Sequence, residues 1–408
     1  MDVIHQRCCG LDVHKKSVTA CRIISIADGE TQKEVRSFST MTAGLLDLAE
    51  WLAQAGVSHV AMESTGVYWK PVWNILEADF ELTMVNAHDF KPPKGKKTDI
   101  KDSERLADLL RYDLLKPSFV PNREQRELRE LTRYRSTLVR ERSAEVNRLQ
   151  KTLEGGNIKL ASVVSDIDGK SAREMVAALV AGSLDVSAMA ELAKGRLRQK
   201  QAELQQALTG RFAAHQRFML VQQLAHLDQL DANIAAVEVE IEERTRPFAE
   251  QVEALDSIPG IGATTARVII AEIGTDMGKF GSARRLASWA KMCPGNNQSG
   301  GKKYSGRTGK GDRWLRAILT ECAHAAGRTK TYLASQYHRL AGRRGKKKAA
   351  IAVGHSILVI AYHLLAQPGT TYRDLGGHYF DDRDKERLKN RLLHRLQGLG
   401  YEVTLTAA

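Results

Sequence analysis

The sequence predicts an α/β domain followed by a largely all-α remainder, and three observations predict it. Short β-prone runs bounded by turn residues crowd residues 1–121, and apolar residues then recur at spacings of three and four through 122–250. From Lys279 to Lys348 the chain carries 18 Lys and Arg against only Asp312 and Glu321, whereas the whole chain has a net charge of +13. The basicity therefore belongs to one region, which calls for a polyanionic partner. At 408 residues the chain is too long for one ordinary core. The composition shifts divide it into 1–121, a helical arm at 122–250, a compact basic region at 251–371, and an extension at 372–408.

In the first division, Arg7–Val13 and Ser17–Ile26 read as strands joined at His14-Lys15-Lys16, with a third at Glu34–Thr40. Thr42–Ala55 has helical spacing through Leu45, Leu48, Ala49 and Leu52; His59–Met62 and Leu82–Val85 read as short strands. Lys91–Lys97 is a Pro/Gly/Lys loop, followed by a helix over Asp99–Arg111. Arg123–Leu153 is a long Arg/Glu-rich helix stopped by Gly155-Gly156-Asn157. The seam Leu227, Leu230, Ile234, Val237 and Ile241 then predicts either a coiled-coil contact between protomers or a hairpin within one. The segment from Pro259 (PGIGATTARVIIAEIG) resembles a helix-hairpin-helix, in which backbone amides near Gly260 and Gly262 can face a phosphate. A purely structural hairpin is the plain alternative. Residues 342–365 read as one basic-apolar helix.

Membrane is the weaker partner, because no stretch approaches the ~20 apolar residues of a spanning helix and the first residues lack a signal-type apolar block. Cys8, Cys9, Cys21, Cys293 and Cys322 form an odd set without a CxxC pair, which predicts reduced, mostly buried thiols in a cytoplasm.

The chemistry-bearing residues fall in two groups. Asp12 closes the first strand, Glu63 follows a later one, and Asp99 and Asp102 share one face of a helix start. Four converging carboxylates need cations, and Mg²⁺ or Mn²⁺ takes oxygen ligands and clamps a scissile phosphate. Singly, each has an ordinary role: Asp99 as a helix cap, Asp102 as a first-turn charge. The second group is residues 293–316, CPGNNQSGGKKYSGRTGKGDRWLR. Its glycines permit close backbone approach, and Lys302, Lys303, Arg307, Lys310 and Arg313 supply cations. The residues alone give a phosphate-binding loop or a solvated one. No histidine adjoins Ser299; His324 falls on the helix that follows.

GLDVHK with Asp12, MESTG with Glu63, and KTDIKD with Asp99 and Asp102 resemble the RuvC-like, RNase H-like DEDD domain of the insertion-sequence one-ten transposases, which are related to Piv-type DNA invertases. NNQSGG resembles the serine segment of the same family's C-terminal domain. The resemblance implies that Asp12, Glu63, Asp99 and Asp102 bind metal and that Ser299 attacks DNA and holds a covalent phosphoserine link, with Ser305 as a substitute. It also implies donor and target DNA, a structured non-coding guide RNA, and a dimer or tetramer in which one protomer's serine domain completes another's RuvC-like domain. A nucleoid-associated cytoplasmic location in a bacterium follows from the same resemblance. Residues 154–215 are longer than the family's minimal helical region, and the part after Tyr372 is an extension. The rival readings are a water-using, metal-dependent endonuclease or junction resolvase, and a non-catalytic nucleic-acid-binding protein.

Overall fold

A computed structural model describes residues 2–26, 30–64, 66–86, 98–182, 185–295, 298–304, 306, 308–309 and 311–404. The chain divides into two compact units, Met1–Arg123 and Glu124–Ala408.

The first unit is built on strands β1 (Arg7–Val13), β2 (Ser17–Ser25), β3 (Thr31–Ser39), β4 (His59–Glu63) and β5 (Glu81–Val85), in the order β3-β2-β1-β4-β5. The first three form an antiparallel meander, and β4 and β5 add in parallel. Helices α1 (Thr42–Gln54), α2 (Trp69–Leu76) and α3 (Asp99–Arg111) cover the sheet.

Strand alternation sorts the core. Cys9, Leu11 and Val13 of β1 pack with Leu48, Leu52 and Trp73 of α1 and α2, while Cys8 shares the opposite core with Leu106, Ala107 and Leu110 of α3. Because β1 is buried on both faces, it reads as a continuous apolar run with one acid near its end. A Cβ on Gly10 would meet Ser103 O at 2.3 Å and Ala107 N at 2.4 Å, so α3 lies directly on the β1 backbone. The short helix α2 was not foreseen. Its Pro71 sits in the first turn, where no intrahelical N–H bond is lost. The third strand is displaced from the expected Glu34–Thr40 and is mostly exposed, so burial gives its pattern little definition. The Lys91–Lys97 loop lies outside the described residues.

In the second unit, α4 (Arg123–Gly155) and α8 (Ala214–Thr245) run antiparallel. Glu127–Arg244 (2.8 Å), Arg135–Glu238 (2.7 Å), Arg142–Asp231 and Glu145–His226 (3.4 Å) zip them along their length. Between them in sequence, α5 (Lys170–Ala181), α6 (Val186–Glu191) and α7 (Gln201–Leu208) form a lobe. Its Met175, Val176, Met189 and Leu204 pack with Leu149 and Leu153 of α4 and with Leu220 and Leu227 of α8. Farther along, Ile241 packs with Leu128 and Ala271. Most of the seam is thus filled within the chain, in the manner of the hairpin alternative. Leu227, Leu230 and Ile241 are buried, whereas Ile234 and Val237 are half-buried.

The rest comprises α9 (Ala249–Asp256), α10 (Ala263–Ile273), α11 (Ala283–Trp289), the hairpin strands β6 (Gln298–Ser299) and β7 (Lys302–Lys303), and α12 (Arg313–Ala326). After these come α13 (Tyr332–Arg344), α14 (Lys346–Ala366), α15 (Tyr379–Arg383) and α16 (Lys385–Gly398). The single helix expected over 342–365 is corrected: Gly345 at φ +82° breaks it into α13 and α14. The expectation about membrane spans is also corrected, since α14 is long and apolar enough to cross a bilayer by length and composition. Its Val353, Ile357, Leu358 and Ala361 are fully buried, and it packs against α11, α12 and α13 as a core helix does.

Candidate functional site

Gly10 decides the geometry of the acidic group. By letting α3 rest on β1, it brings the first turn of α3 to the end of β1, where Asp12 stands almost buried. His14, two residues on, hydrogen-bonds Asp12 Oδ2 through Nε2 at 3.3 Å and lies 3.5 Å from Asp99 Oδ1. One ligand atom from each of Asp12, His14 and Asp99 falls within 4.8 Å of the others. Burial pushes the Asp12 carboxyl above its ordinary range; the charges of Asp99 and Asp102 push the same way, and His14 opposes them. A carboxylate held under that penalty beside two others is a donor set that a divalent cation relieves.

The other two predicted ligands are near but outside this group. Asp102 is buried in the first turn of α3. Glu63 is half-buried at the end of β4; the register Leu11↔Met62 sets it beside Asp12 and on the same sheet face. The cap of α3 is Thr98, whose Oγ1 accepts from Lys101 N at 3.3 Å, so Asp99 is not consumed as a cap. His14 was not among the expected ligands. Its i+2 spacing from Asp12 in GLDVHK was the available signal, since residues two apart on a strand end share a face.

Ser299 occupies the other group. It pairs with Lys302, and Gln298 pairs with Lys303. The two intervening residues, Gly300 (φ +55°) and Gly301 (φ +77°), are both left-handed, the geometry of a two-residue type I′ turn. Ser299, Gly300, Gly301 and Lys302 are exposed. The two ends of the loop that carries the hairpin are held by Arg316, which donates to Lys291 O at 2.9 Å and Gly309 O at 2.6 Å. Gly311 presses on Ala290, where a Cβ would meet the carbonyl oxygen at 2.3 Å. Ser305, Arg307 and Lys310 lie outside the described residues, as does the side chain of Lys303.

Asp312 caps α12 by accepting from Trp314 N (2.8 Å) and Leu315 N (3.0 Å). It also accepts from Arg133 (3.0 Å), whose guanidinium grips fully buried Glu272 bidentately at 2.8 and 2.7 Å. Arg129 donates to Ala271 O at 2.9 Å. This network ties α4 to α10 and to the start of α12. Beside it is a cavity of about 570 Å³ walled by α4, α10 and α12, with Thr264 and Thr265 at the start of α10. There Trp314 carries the guanidiniums of Arg140 (4.5 Å) and Arg313 (4.8 Å).

The two glycines of the helix-hairpin-helix segment differ. Gly260, at φ +90°, faces α12, where a Cβ would meet Cys322 O at 2.5 Å; Gly262 is the open N-cap of α10. Packing thus accounts for Gly260.

Comparison with known proteins gives the family. Residues 9–158 match the DEDD transposase family of IS110, and residues 252–339 match the transposase IS116/IS110/IS902 family. A protein of Pseudomonas aeruginosa named "Probable family 20 transposase" is 26% identical over 322 residues, 77% of this chain and 85% of that one. The "Transposase for insertion sequence element IS1111A" of Coxiella burnetii is 32% identical over 129 residues, 30% of this chain and 35% of that one. The DEDD assignment and the acidic group both point to a divalent metal. With more than half of its residues inside two matched regions in family order, the chain belongs to the IS110-type transposases and is a DNA transposase.

Proposed function

We propose that this transposase cuts and rejoins DNA through a phosphoserine link at Ser299, assisted by Mg²⁺ or Mn²⁺ held at the end of β1 in a RuvC-like domain. The observation that carries the reading is the serine hairpin: an exposed serine beside the turn, cross-strand from Lys302, on a loop whose ends Arg316 ties together. Ser299 Oγ attacks phosphorus, the bridging P–O bond breaks, and the departing oxygen takes the proton. Re-ligation reverses these steps and needs no ATP, because the phosphate ester is conserved. Lys302 and Arg313 bind the flanking phosphates, with Lys303, Arg307 and Lys310 of the same segment; the amides at the Gly262 cap add a backbone contact.

Asp12 and Asp99 would hold the ion, with His14 between them, and Glu63 and Asp102 would complete the set as the site tightens on DNA. The bound ion supplies charge neutralisation at the scissile phosphate. Guide RNA and assembly into a dimer or tetramer belong to this reading through the family resemblance, and the boundaries at 121, 250 and 371 belong to it through the composition shifts.

The test is recovery of protein joined to a DNA end after denaturation, using a nicked substrate that prevents re-ligation. Ser299→Ala removes the adduct and recombination while leaving DNA binding intact. Recombination by Ser299→Ala would overturn serine catalysis. The second reading, metal-dependent hydrolysis by water, draws on the acidic group already gathered at Asp12, His14 and Asp99, and that result would favour it.

A further inference from the structure

The extension after residue 371 lies beyond both matched family regions, and neither the acidic group nor the serine hairpin uses it. Packed on α13, it walls a cavity of about 720 Å³. Arg339 and Arg343 reach it from α13, and Arg387 and Arg391 from α16. Each pair is spaced i,i+4, so each forms a row on one helix side, with steps of about 6 Å along the axis. Two basic rows therefore line one cavity from opposite walls.

Their charge is not balanced locally. Asp381 and Asp384 are the only acids among the lining residues, and Asp384 lies 3.5 Å from Arg339. Among the described residues, no carboxylate stands within ion-pair distance of Arg343, Arg387 or Arg391. His338 adds no counter-charge; its Nε2 is bonded to Gly327 O at 2.8 Å. Like charges gathered around a solvent-filled cleft repel one another, and a polyanion that releases its counterions on binding removes that repulsion.

The aromatic groups narrow the choice of polyanion. Phe380 lines the cleft, but Tyr332 stacks on it at 5.2 Å and the guanidiniums of Arg339 and Arg383 lie over it at 5.3 and 5.7 Å. Among the described residues lining the cleft, the one phenyl ring is thus already engaged rather than free as the platform that single-strand binding uses. Guanidinium rows without a stacking surface suit a sugar–phosphate backbone whose bases are already paired.

We propose that α13 and α16 form a clamp for the phosphodiester backbone of duplex DNA, away from the position being cut. The proposal rests on the reading that the chain acts on DNA, and it gives the extension a positioning role: holding flanking duplex. The experiment uses the full-length chain, a mixed-sequence duplex as probe, and affinity measured across a salt series. Arg387→Ala/Arg391→Ala keeps good helix formers in α16, and circular dichroism checks that the helix content is unchanged. Loss of two phosphate contacts makes the slope of log affinity against log salt shallower by about 2 and weakens all duplexes alike. Arg343→Ala, on the other wall, makes it shallower by about 1, and Arg387→Lys/Arg391→Lys restores most of the slope. Unchanged affinity and slope in both alanine variants would overturn the clamp alone. So would a loss confined to single-stranded RNA. Absence of salt-dependent duplex binding in the unsubstituted chain would overturn the clamp together with the reading beneath it.

Discussion

Gly10→Ala tests how the acidic group is assembled. The added Cβ would stand 2.3 Å from Ser103 O, 2.4 Å from Ala107 N and 2.7 Å from Leu106 Cβ, where ordinary contact begins at 3.4 Å. Two of the three neighbours are backbone, so no side-chain rotation relieves the overlap. Either α3 moves off β1 by about 1 Å or the strand bows, and overpacking of this kind costs about 1–3 kcal/mol. Asp99 and Asp102 travel with α3 while Asp12 and His14 stay with β1. A misplacement of about 1 Å in a catalytic constellation lowers the rate on the order of a hundredfold. The assay pairs thermal unfolding with metal-dependent DNA cleavage measured over a Mn²⁺ titration. The expected result is a modestly lowered melting temperature, a large loss of cleavage, and a higher metal requirement. Cleavage at the unsubstituted level, with the same metal dependence, would refute the argument that Gly10 sets the site.

Three further outcomes follow from the structure. Glu272→Ala leaves Arg129 and Arg133 facing a buried gap and destabilises the second unit by about 3 kcal/mol in urea unfolding; Asp312 remains as a partial partner for Arg133, so the lower end of the usual range applies. Burial holds the His355 imidazole below its ordinary pKa, and its Nδ1 has no hydrogen-bond partner. The fold thus favours neutral His355: its contribution is complete above pH 6.5 and is lost as pH falls through 6.5 toward the folded value, by at most about 1.4 kcal/mol per pH unit, a loss absent in His355→Leu. Finally, Cys8, Cys9, Cys21 and Cys322 are buried, with the thiols of Cys8, Cys21 and Cys322 pushed up to about 12, whereas Cys293 is half-exposed. A thiol reagent should titrate one cysteine in the folded chain and five in denaturant; rapid reaction of a second would contradict the packing of β1, β2 or α12.

What was legible in the sequence was whatever burial writes strongly. Strand β1, buried on both faces, and α3, with Leu106 and Leu110 on one side and two acids in its first turn, have the bounds the sequence indicates. The exposed strand β3 shifted because few of its positions are constrained by a core. Helices α5–α7 escaped because they are short and their apolar residues serve a core shared with α4 and α8, so no single segment shows a clean period. The seam in α8 was visible, but its partner was not: periodicity records that a face is buried and not which helix buries it. Asp12 and Asp99, which the structure brings together, were singled out through their motifs. His14 was passed over because its role depends on where α3 lands, which Gly10 determines from the same face of β1.

The Arg133–Asp312 contact joins residues 179 positions apart, and Arg129 reaches Ala271 across 142. The first unit ends at Arg123. During synthesis at about 5–20 residues per second, the first unit can therefore fold roughly 7–38 s before Arg129 and Arg133 of α4 meet Ala271 and Asp312. Through that interval Arg129 and Arg133 of α4 await Ala271, Glu272 and Asp312, and the unit with the acidic group at Asp12, His14 and Asp99 is complete before the loop that carries Ser299 is made. A nascent chain of this protein therefore completes its β1 acidic group before the hairpin that carries Ser299.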